Sequence, residues 1–369
     1  MAPYFYPYTG GAETAAWEMA KSLVEDHGVE VEVHTSWYGG PDLKMSAGLT
    51  AYLDGGLRVR RYRSPSRVVY FMPSVSEDCA VLHVLGFHRL LVAATVLSER
   101  HRPAVLQPHG NVSMVSGEPP GVVRSLRLVA DRTASRWLVS RFSRVLCLNE
   151  VEQEAMERAG APPERLRLLR APMRLDSSDG DVDVGNARDL NLFLSVGRVT
   201  PLKYVEHAIR ALASVPGARL MVIGPFVDEE YRAELMSLVY DLGVEERVCF
   251  LGALSAAELR RWYSQSAGVV LCSRSEGQGL VLSEAAFHGA VPILAQGASD
   301  ELVAAMGCGL LYRWGDTEEL ASRLEEVMSN RTSFESGLTR ARAFVEAELA
   351  PSTVVAKLLA IYQEVGVGV

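Results

Sequence analysis

Short apolar runs rich in β-branched residues alternate with amphipathic helical stretches along both halves of this chain. Strands that alternate with helices in this way build parallel sheets with crossover helices, so the pattern predicts an α/β fold. In the first half the candidate strands are Val29–His34, Val68–Met72, Ala80–Leu85, Ala104–Gln107 and Val145–Leu148. Between them Ala15, Ala16, Met19, Ala20 and Leu23 recur at helical spacing, as do Val122, Leu126, Val129, Ala130 and Trp137. The second half repeats the pattern with strands at Leu192–Val196, Arg219–Ile223, Val248–Phe250, Gly268–Cys272 and Val291–Leu294. Its helices are predicted at Glu206–Ala213, Glu229–Leu242, Ala256–Ser264, Leu280–His288 and Thr317–Met328.

At 369 residues the chain is too long for one ordinary core and fits two domains of about 150 to 200 residues each. The break falls at 176–189, where Asp176-Ser-Ser-Asp-Gly-Asp-Val-Asp-Val-Gly185 has almost nothing to bury. That leaves an N-terminal domain over 1–175 and a C-terminal domain over 190–350. Asp181 and Asp183 form an Asp-x-Asp pair, but a polar linker offers no strand to hold a metal there, and the spacing fails the calcium-loop pattern at its last acidic position. The first strand is short. A sheet domain feeding the Gly10-Gly11 turn calls for about five strand residues ahead of Pro3, which suggests a late start site or a clipped strand.

The five cysteines are scattered and form no C-x-x-C pair, so neither zinc nor a disulfide framework is expected. Cys147, Cys249 and Cys272 sit in apolar strand-like runs and read as small buried hydrophobes. The formal net charge of −8 argues against nucleic-acid binding, and it divides unevenly, +1 over residues 1–180 and −9 over residues 181–369. The near-neutral first half is the part that would meet an acidic partner. No apolar stretch approaches the roughly 20 residues of a membrane span, and no leader pattern opens the chain. A cytoplasmic location is the default expectation.

The chemistry concentrates in Ser-Glu276-Gly-Gln-Gly-Leu-Val-Leu-Ser-Glu284, between an apolar run and a helical stretch. Gly277 and Gly279 allow a tight turn, and the following helix aims its positive end and open N–H groups at that turn. A phosphate is the simplest occupant. Upstream, Ser195-Val-Gly-Arg-Val-Thr-Pro-Leu-Lys203 ends a strand with a glycine turn and places Arg198 and Lys203 where open α/β sheets bind ligands. A guanidinium fork with a mobile ammonium suits a diphosphate. Gly10-Gly11-Ala-Glu13 opens the first helix and reads equally as a tight turn or an anion loop; it lacks the G-x-G-x-x-G of a nicotinamide or flavin site. His109, in Gln-Pro-His-Gly, follows a strand and reads as functional, whereas His83 reads as a satisfied core residue.

Together, Gly-Gly-Ala-Glu, His-Gly, Gly-Arg with Lys five residues after the Arg, and Glu-x7-Glu resemble glycosyltransferase family 4 over nearly the whole chain. The resemblance implies a retaining, metal-independent transferase of the hexosyl type with the GT-B fold. Two doubly wound Rossmann-like domains would face a central cleft, with a C-terminal helix over 352–365 crossing back to the first. It also implies a nucleotide-sugar donor (UDP-, GDP- or ADP-linked), used as substrate with no further cofactor. Arg198 and Lys203 would bind the diphosphate, Glu284 the ribose and Glu276 the sugar. Backbone N–H groups of Gly277, Gln278, Gly279, Leu280 and Val281 would complete those contacts, Leu251 would border the base, and Gly10, Gly11 and His109 would close on the donor. Three positions depart from the family pattern. Gln278 stands where an aromatic is common, Tyr204 where glycine is common, and Ala171-Pro172-Met173 replaces Asn-Gly-Val.

The acceptor, whether sugar, lipid-linked or small molecule, is less legible. Arg124, Arg127, Arg132 and Arg136 spread over the face of a helix opposite its apolar residues. A solvated face is the simpler reading; a face resting on anionic lipid, at the inner side of a membrane, or holding a phosphorylated acceptor is the other. Arg58, Arg60, Arg61, Arg63 and Arg67 add charge to the same half. The alternatives in function are a catalytically silent nucleotide-sugar-binding partner subunit and a GT-B epimerase or phosphorylase.

Overall fold

A computed structural model describes residue 5 and residues 10–37, 48–63, 78–86, 101–109, 136–174 and 188–367. The predicted strand Val68–Met72, the basic helix through Arg124, Arg127 and Arg132, Asp181 and Asp183 of the linker, and the segment ahead of Gly10, Phe5 apart, lie outside the described residues. The chain divides into two compact units, one of Met1–Arg174 with Leu349–Val369 and one of Leu175–Glu348.

The first unit runs α1 (Gly11–Glu25), β1 (Val31–Trp37), β2 (Gly48–Tyr52), β3 (Leu57–Arg63), β4 (Leu82–Leu85), β5 (Ala104–Gln107), β6 (Arg144–Cys147), α2 (Glu150–Arg158) and β7 (Leu166–Leu168). Strands β4 to β7 pair in parallel, in sequence order. A second sheet has β3 between β1, parallel to it, and β2, antiparallel to it, so the β2–β3 hairpin departs from the purely parallel pattern predicted above. The arginines of β3 hide it. Leu57, Val59 and Arg61 alternate inward as a half-buried strand requires, and Arg61 donates to the hydroxyls of Thr50 and Tyr52. Arg58 and Arg60 face outward and pair with Glu30 and Glu32, each at 3.1 Å, so they add no free positive surface.

The second unit runs β8 (Asp189–Val196), α3 (Val205–Ala213), β9 (Arg219–Ile223), α4 (Glu229–Asp241), β10 (Val248–Gly252), α5 (Ala256–Gln265), β11 (Ser266–Leu271), α6 (Leu280–Phe287), β12 (Val291–Ala295), α7 (Asp300–Met306), β13 (Leu310–Tyr312), α8 (Thr317–Ser329) and α9 (Glu335–Glu348). Its strands form one parallel sheet in the order β10-β9-β8-β11-β12-β13. The order grows outward from β8 on one side and from β11 on the other, so the winding reverses between those two strands. Such a reversal parts the loops at the strands' carboxyl ends and leaves a crevice there. Phe193, Ile209, Leu235, Val270 and Leu324 are buried in the unit's main core. Cys147 and Cys272 are buried as expected, but Cys249 is exposed, because β10 is an edge strand and this position faces out.

The last helix, α10 (Pro351–Glu364), belongs to the first unit. Val354, Val355, Leu358, Ile361 and Tyr362 make a stripe at helical spacing that packs with Met19, Val105 and Leu146. At its far end Glu364 accepts from Arg144 at 2.9 Å and Arg167 at 2.7 Å. Among the described residues no helix is long and apolar enough to cross a membrane.

Candidate functional site

At the carboxyl ends of β8, β9 and β10 the chain places Gly197, Gly224 and Gly252, all at positive φ. Gly197 donates to Ile223 at 2.9 Å and Gly224 donates to Gly252 at 2.8 Å, so the strand ends stack backbone against backbone. A side chain at Gly224 would sit 1.9 Å from the Gly197 carbonyl oxygen. Only glycine fits there, and the result is a shelf of closely packed main chain, with Gly224 buried, beside the β8–β11 reversal. Arg198 leaves this shelf exposed to solvent, while Val199 is buried and bridges to Phe226.

After Val199 the chain makes a short turn through Pro201–Lys203, and Tyr204 then takes a left-handed conformation (φ 48°, ψ 45°) to start α3. This returns Lys203 to the shelf, where its Nζ lies 2.5 Å from Oε1 of Glu276. Glu276 stands on the loop after β11, held by its own N–H to the Ala298 carbonyl at 3.2 Å. The two loops that flank the reversal therefore meet through opposite charges. Gly279, at φ 75°, turns the chain into α6, and no side chain caps that helix. The N–H groups of Leu280 and Val281 stand at the helix N-terminus, where intrahelical acceptors are lacking, while Leu282 already donates to the Gly279 carbonyl at 2.8 Å. Of the two loop glycines only Gly279 uses a left-handed backbone. Gln278 between them is buried.

Within α6, Glu284 accepts from the Tyr263 hydroxyl at 2.9 Å. Burial raises the carboxyl above its usual range, and the Tyr263 bond pulls it partly back. The other end of α6 is held by three arginines that the sequence reading does not single out. Arg188 donates to the His288 carbonyl at 3.0 Å, Arg331 to that of Gly289 at 2.6 Å and Arg342 to that of Phe287 at 3.0 Å. Cations at a helix C-terminus complement its dipole and fix its direction. The signal available in the sequence is their residue type alone, since they come from three separate segments. Burial and the nearby Arg331 lower Arg188 to about 10. Leu251, at the end of β10, is partly buried against a cluster that includes Ile223 and Tyr263.

In the first unit, His109 follows β5 with a left-handed backbone, φ 55°. Burial lowers its imidazole to about 4, and its Nε2 is buried without a hydrogen-bond partner among the described residues. It is neutral at physiological pH. His83 reads correctly as a core residue: its Nδ1 lies 2.8 Å from the Tyr362 hydroxyl of α10. Gly10 is extended (φ −173°), a conformation open to any residue, and caps α1 ahead of Gly11 without using glycine's freedom. Gly110 lies outside the described residues. Among the described residues no three His, Cys, Asp or Glu side chains gather as a metal site would need.

Comparison with known proteins places this geometry in context. Residues 181–344 match the family of glycosyl transferases group 1, and residues 9–175 match glycosyltransferase family 4. The D-inositol 3-phosphate glycosyltransferase of Mycolicibacterium smegmatis is 29% identical over 273 residues, covering 71% of this chain and 61% of the relative. This chain thus spans about half to three fifths of the length of the first curated relatives it matches. In structure, sucrose-phosphate synthase from Thermosynechococcus elongatus superposes with a TM-score of 0.77 at 17% identity, over 96% of this chain and 94% of that one. Anabaena HepE, solved with UDP and glucose, superposes with a TM-score of 0.72 at 18% identity, over 99% and 100%.

Proposed function

This chain belongs to glycosyltransferase family 4, with a group 1 glycosyltransferase domain, and from that premise we propose that it transfers a sugar from a nucleotide-sugar donor to an acceptor hydroxyl. The observation that carries the reading is the meeting of Lys203 and Glu276 at the β8–β11 reversal, beside the uncapped N-terminus of α6. Lys203, Arg198 and the α6 N–H groups supply positive charge where a nucleoside diphosphate leaves. A preorganised positive site of this kind is what lowers the barrier when the glycosidic bond breaks.

Donor binding exchanges partners on Lys203. The diphosphate takes the ammonium, and the carboxylate of Glu276 turns to a hydroxyl of the sugar. Glu284, lifted by burial yet steadied by Tyr263, accepts from the ribose hydroxyls. His109, in the first unit, is neutral, so its imidazole can serve as a hydrogen-bonding group and not as a cation. The acceptor oxygen attacks the anomeric carbon on the face from which the diphosphate departs. The C–O bond to phosphate breaks, and the hydroxyl proton passes to the departing phosphate oxygen, so configuration is retained. The chain's own cations carry the leaving-group charge, and a chelator should leave the rate unchanged.

UDP and glucose in the HepE structure support a UDP-hexose as the first donor to test, and the name of the Mycolicibacterium smegmatis relative supports a phosphorylated polyol as the first acceptor. The test is transfer measured with Glu276→Gln. The rate should fall by about 100-fold or more while nucleotide affinity stays within about threefold. A variant as active as wild type removes Glu276 from the site, and wild-type binding without any turnover makes the chain a silent binding subunit.

A further inference from the structure

Trp314, on the loop after β13, packs against both loops that carry the Lys203–Glu276 pair. On one side its ring meets Tyr204, the residue after Lys203, edge-on at 5.0 Å and 86°. On another, the guanidinium of Arg274, two residues before Glu276, lies 5.2 Å from the indole centre. His207 closes the group, stacked on Tyr204 at 5.4 Å and 24° and edge-on to Trp314 at 5.6 Å. One indole thus spans the β8 and β11 loops on the side of the sheet where α3 and α8 lie.

The cluster combines backbone strain with buried polar atoms. Tyr204 holds a left-handed backbone, a conformation that suits glycine and disfavours a residue with a side chain. The indole Nε1 and the His207 Nδ1 are both buried without a hydrogen-bond partner among the described residues. Local strain with unsatisfied polar atoms persists where the surrounding structure over-determines it, and such places cluster at ligand clamps. Aromatic edge-to-face and cation–π contacts are directional, so they fix the angle between the pieces they join as well as the distance.

We propose that Trp314 is a positioning residue which, through Tyr204 and Arg274, sets the separation of the Lys203 ammonium and the Glu276 carboxylate. It thereby fixes the fit of the donor's terminal phosphate. Lysine reaches its partner on a flexible stem of four carbons, so the placement of its backbone decides where the charge can rest. The strap through Trp314 supplies that placement from the Tyr204 side and aligns Glu276 from the Arg274 side. The inference rests on the reading that Lys203 binds the donor diphosphate.

The experiment titrates the full-length protein with UDP, GDP and ADP, then follows the tightest of these and its monophosphate in Trp314→Leu, Trp314→Phe and Tyr204→Gly. In Trp314→Leu the diphosphate affinity should fall about tenfold and the monophosphate affinity less than about twofold, the scale on which residues outside a site modulate it. Trp314→Phe keeps a ring for both contacts and should recover most of the loss. Tyr204→Gly suits the left-handed backbone, so it should fold even if Trp314→Leu does not, and it should show the same selective loss. Equal weakening of diphosphate and monophosphate, or no weakening in Tyr204→Gly, overturns the proposal and leaves a packing role only. Wild-type protein that binds none of the three diphosphates would instead overturn the donor reading itself.

Discussion

Tyr263 donates its hydroxyl to the Glu284 carboxylate at 2.9 Å from a side chain only 1% exposed. Burial pushes the carboxyl above its usual range, and the bond from Tyr263 favours its charged form and pulls it partly back. Tyr263→Phe should therefore destabilise the protein by about 1 to 3 kcal/mol at neutral pH, the cost of leaving a buried charged acceptor short of a donor. Because the bond favours the charged form, its loss matters less as pH falls and Glu284 takes a proton. Urea unfolding of both proteins at pH 7 and pH 5 checks this. A loss that does not shrink at pH 5 would show that the Tyr263 hydroxyl does not act through the charge of Glu284.

Lys203 and Glu276 should separate stability from binding. The pair is partly solvated, with side chains 28% and 16% exposed, so Lys203→Met should change unfolding free energy by no more than about 1 kcal/mol. The same variant should weaken nucleoside diphosphate affinity by about tenfold or more, since the lost contact is a charge-assisted one. Paired denaturation and calorimetric titration make the comparison.

Gly224→Ala is expected to be costly despite its small size. The added methyl would overlap the Gly197 carbonyl, and both groups are main chain at strand ends, so neither can swing aside. A loss of about 2 to 4 kcal/mol is expected, together with weaker donor binding, because the displaced strand end carries Arg198. Denaturant midpoints for the variant give the first number. An unchanged midpoint would mean that the β8 loop yields more easily than its hydrogen bonds suggest.

Acid should weaken the protein through its buried imidazoles. Burial lowers His83 to about 3, and His109 and His288 to about 4, all well below the usual 6.5. Between pH 6.5 and 4 the unfolded chain binds protons at these sites and the folded chain does not, so stability falls as pH falls. Each group contributes about 1 to 3 kcal/mol across that window. His288→Gln should flatten the slope of unfolding free energy against pH, and a slope equal to wild type would overturn the assignment. The rate–pH profile of transfer should show no limb from His109 between pH 5 and 8.

The sheet of the second unit is legible from sequence because its strands are continuous apolar runs. Arg219–Ile223 is predicted residue for residue, and β8 and β12 to within a few positions at their ends. The β3 strand is not so legible, since Arg58, Arg60 and Arg61 mask an alternation whose inward members are only Leu57 and Val59 beside a buried arginine. β7 and β13 are three residues each, too short to carry a period. In the site, Glu276, Glu284, Arg198 and Lys203 are legible as residue types at known spacings. What the sequence does not display is pairing: Lys203 with Glu276, Glu284 with Tyr263, and Trp314 with both Tyr204 and Arg274. Each pair joins segments brought together only by the winding of the sheet. Tyr204, noted above as a departure from the family's glycine, gains its meaning from Trp314, more than 100 positions away.

Helix α10 places the last part of the chain in the core of the first unit, where Leu358 and Tyr362 lie against Val105 and Met19. On a ribosome, residues 175–348 emerge as a contiguous unit and can finish folding while the earlier unit still lacks its closing helix. The strands that are made first are thus completed last. Until then the apolar face that α10 covers stays open, and it is the surface a chaperone would meet during synthesis.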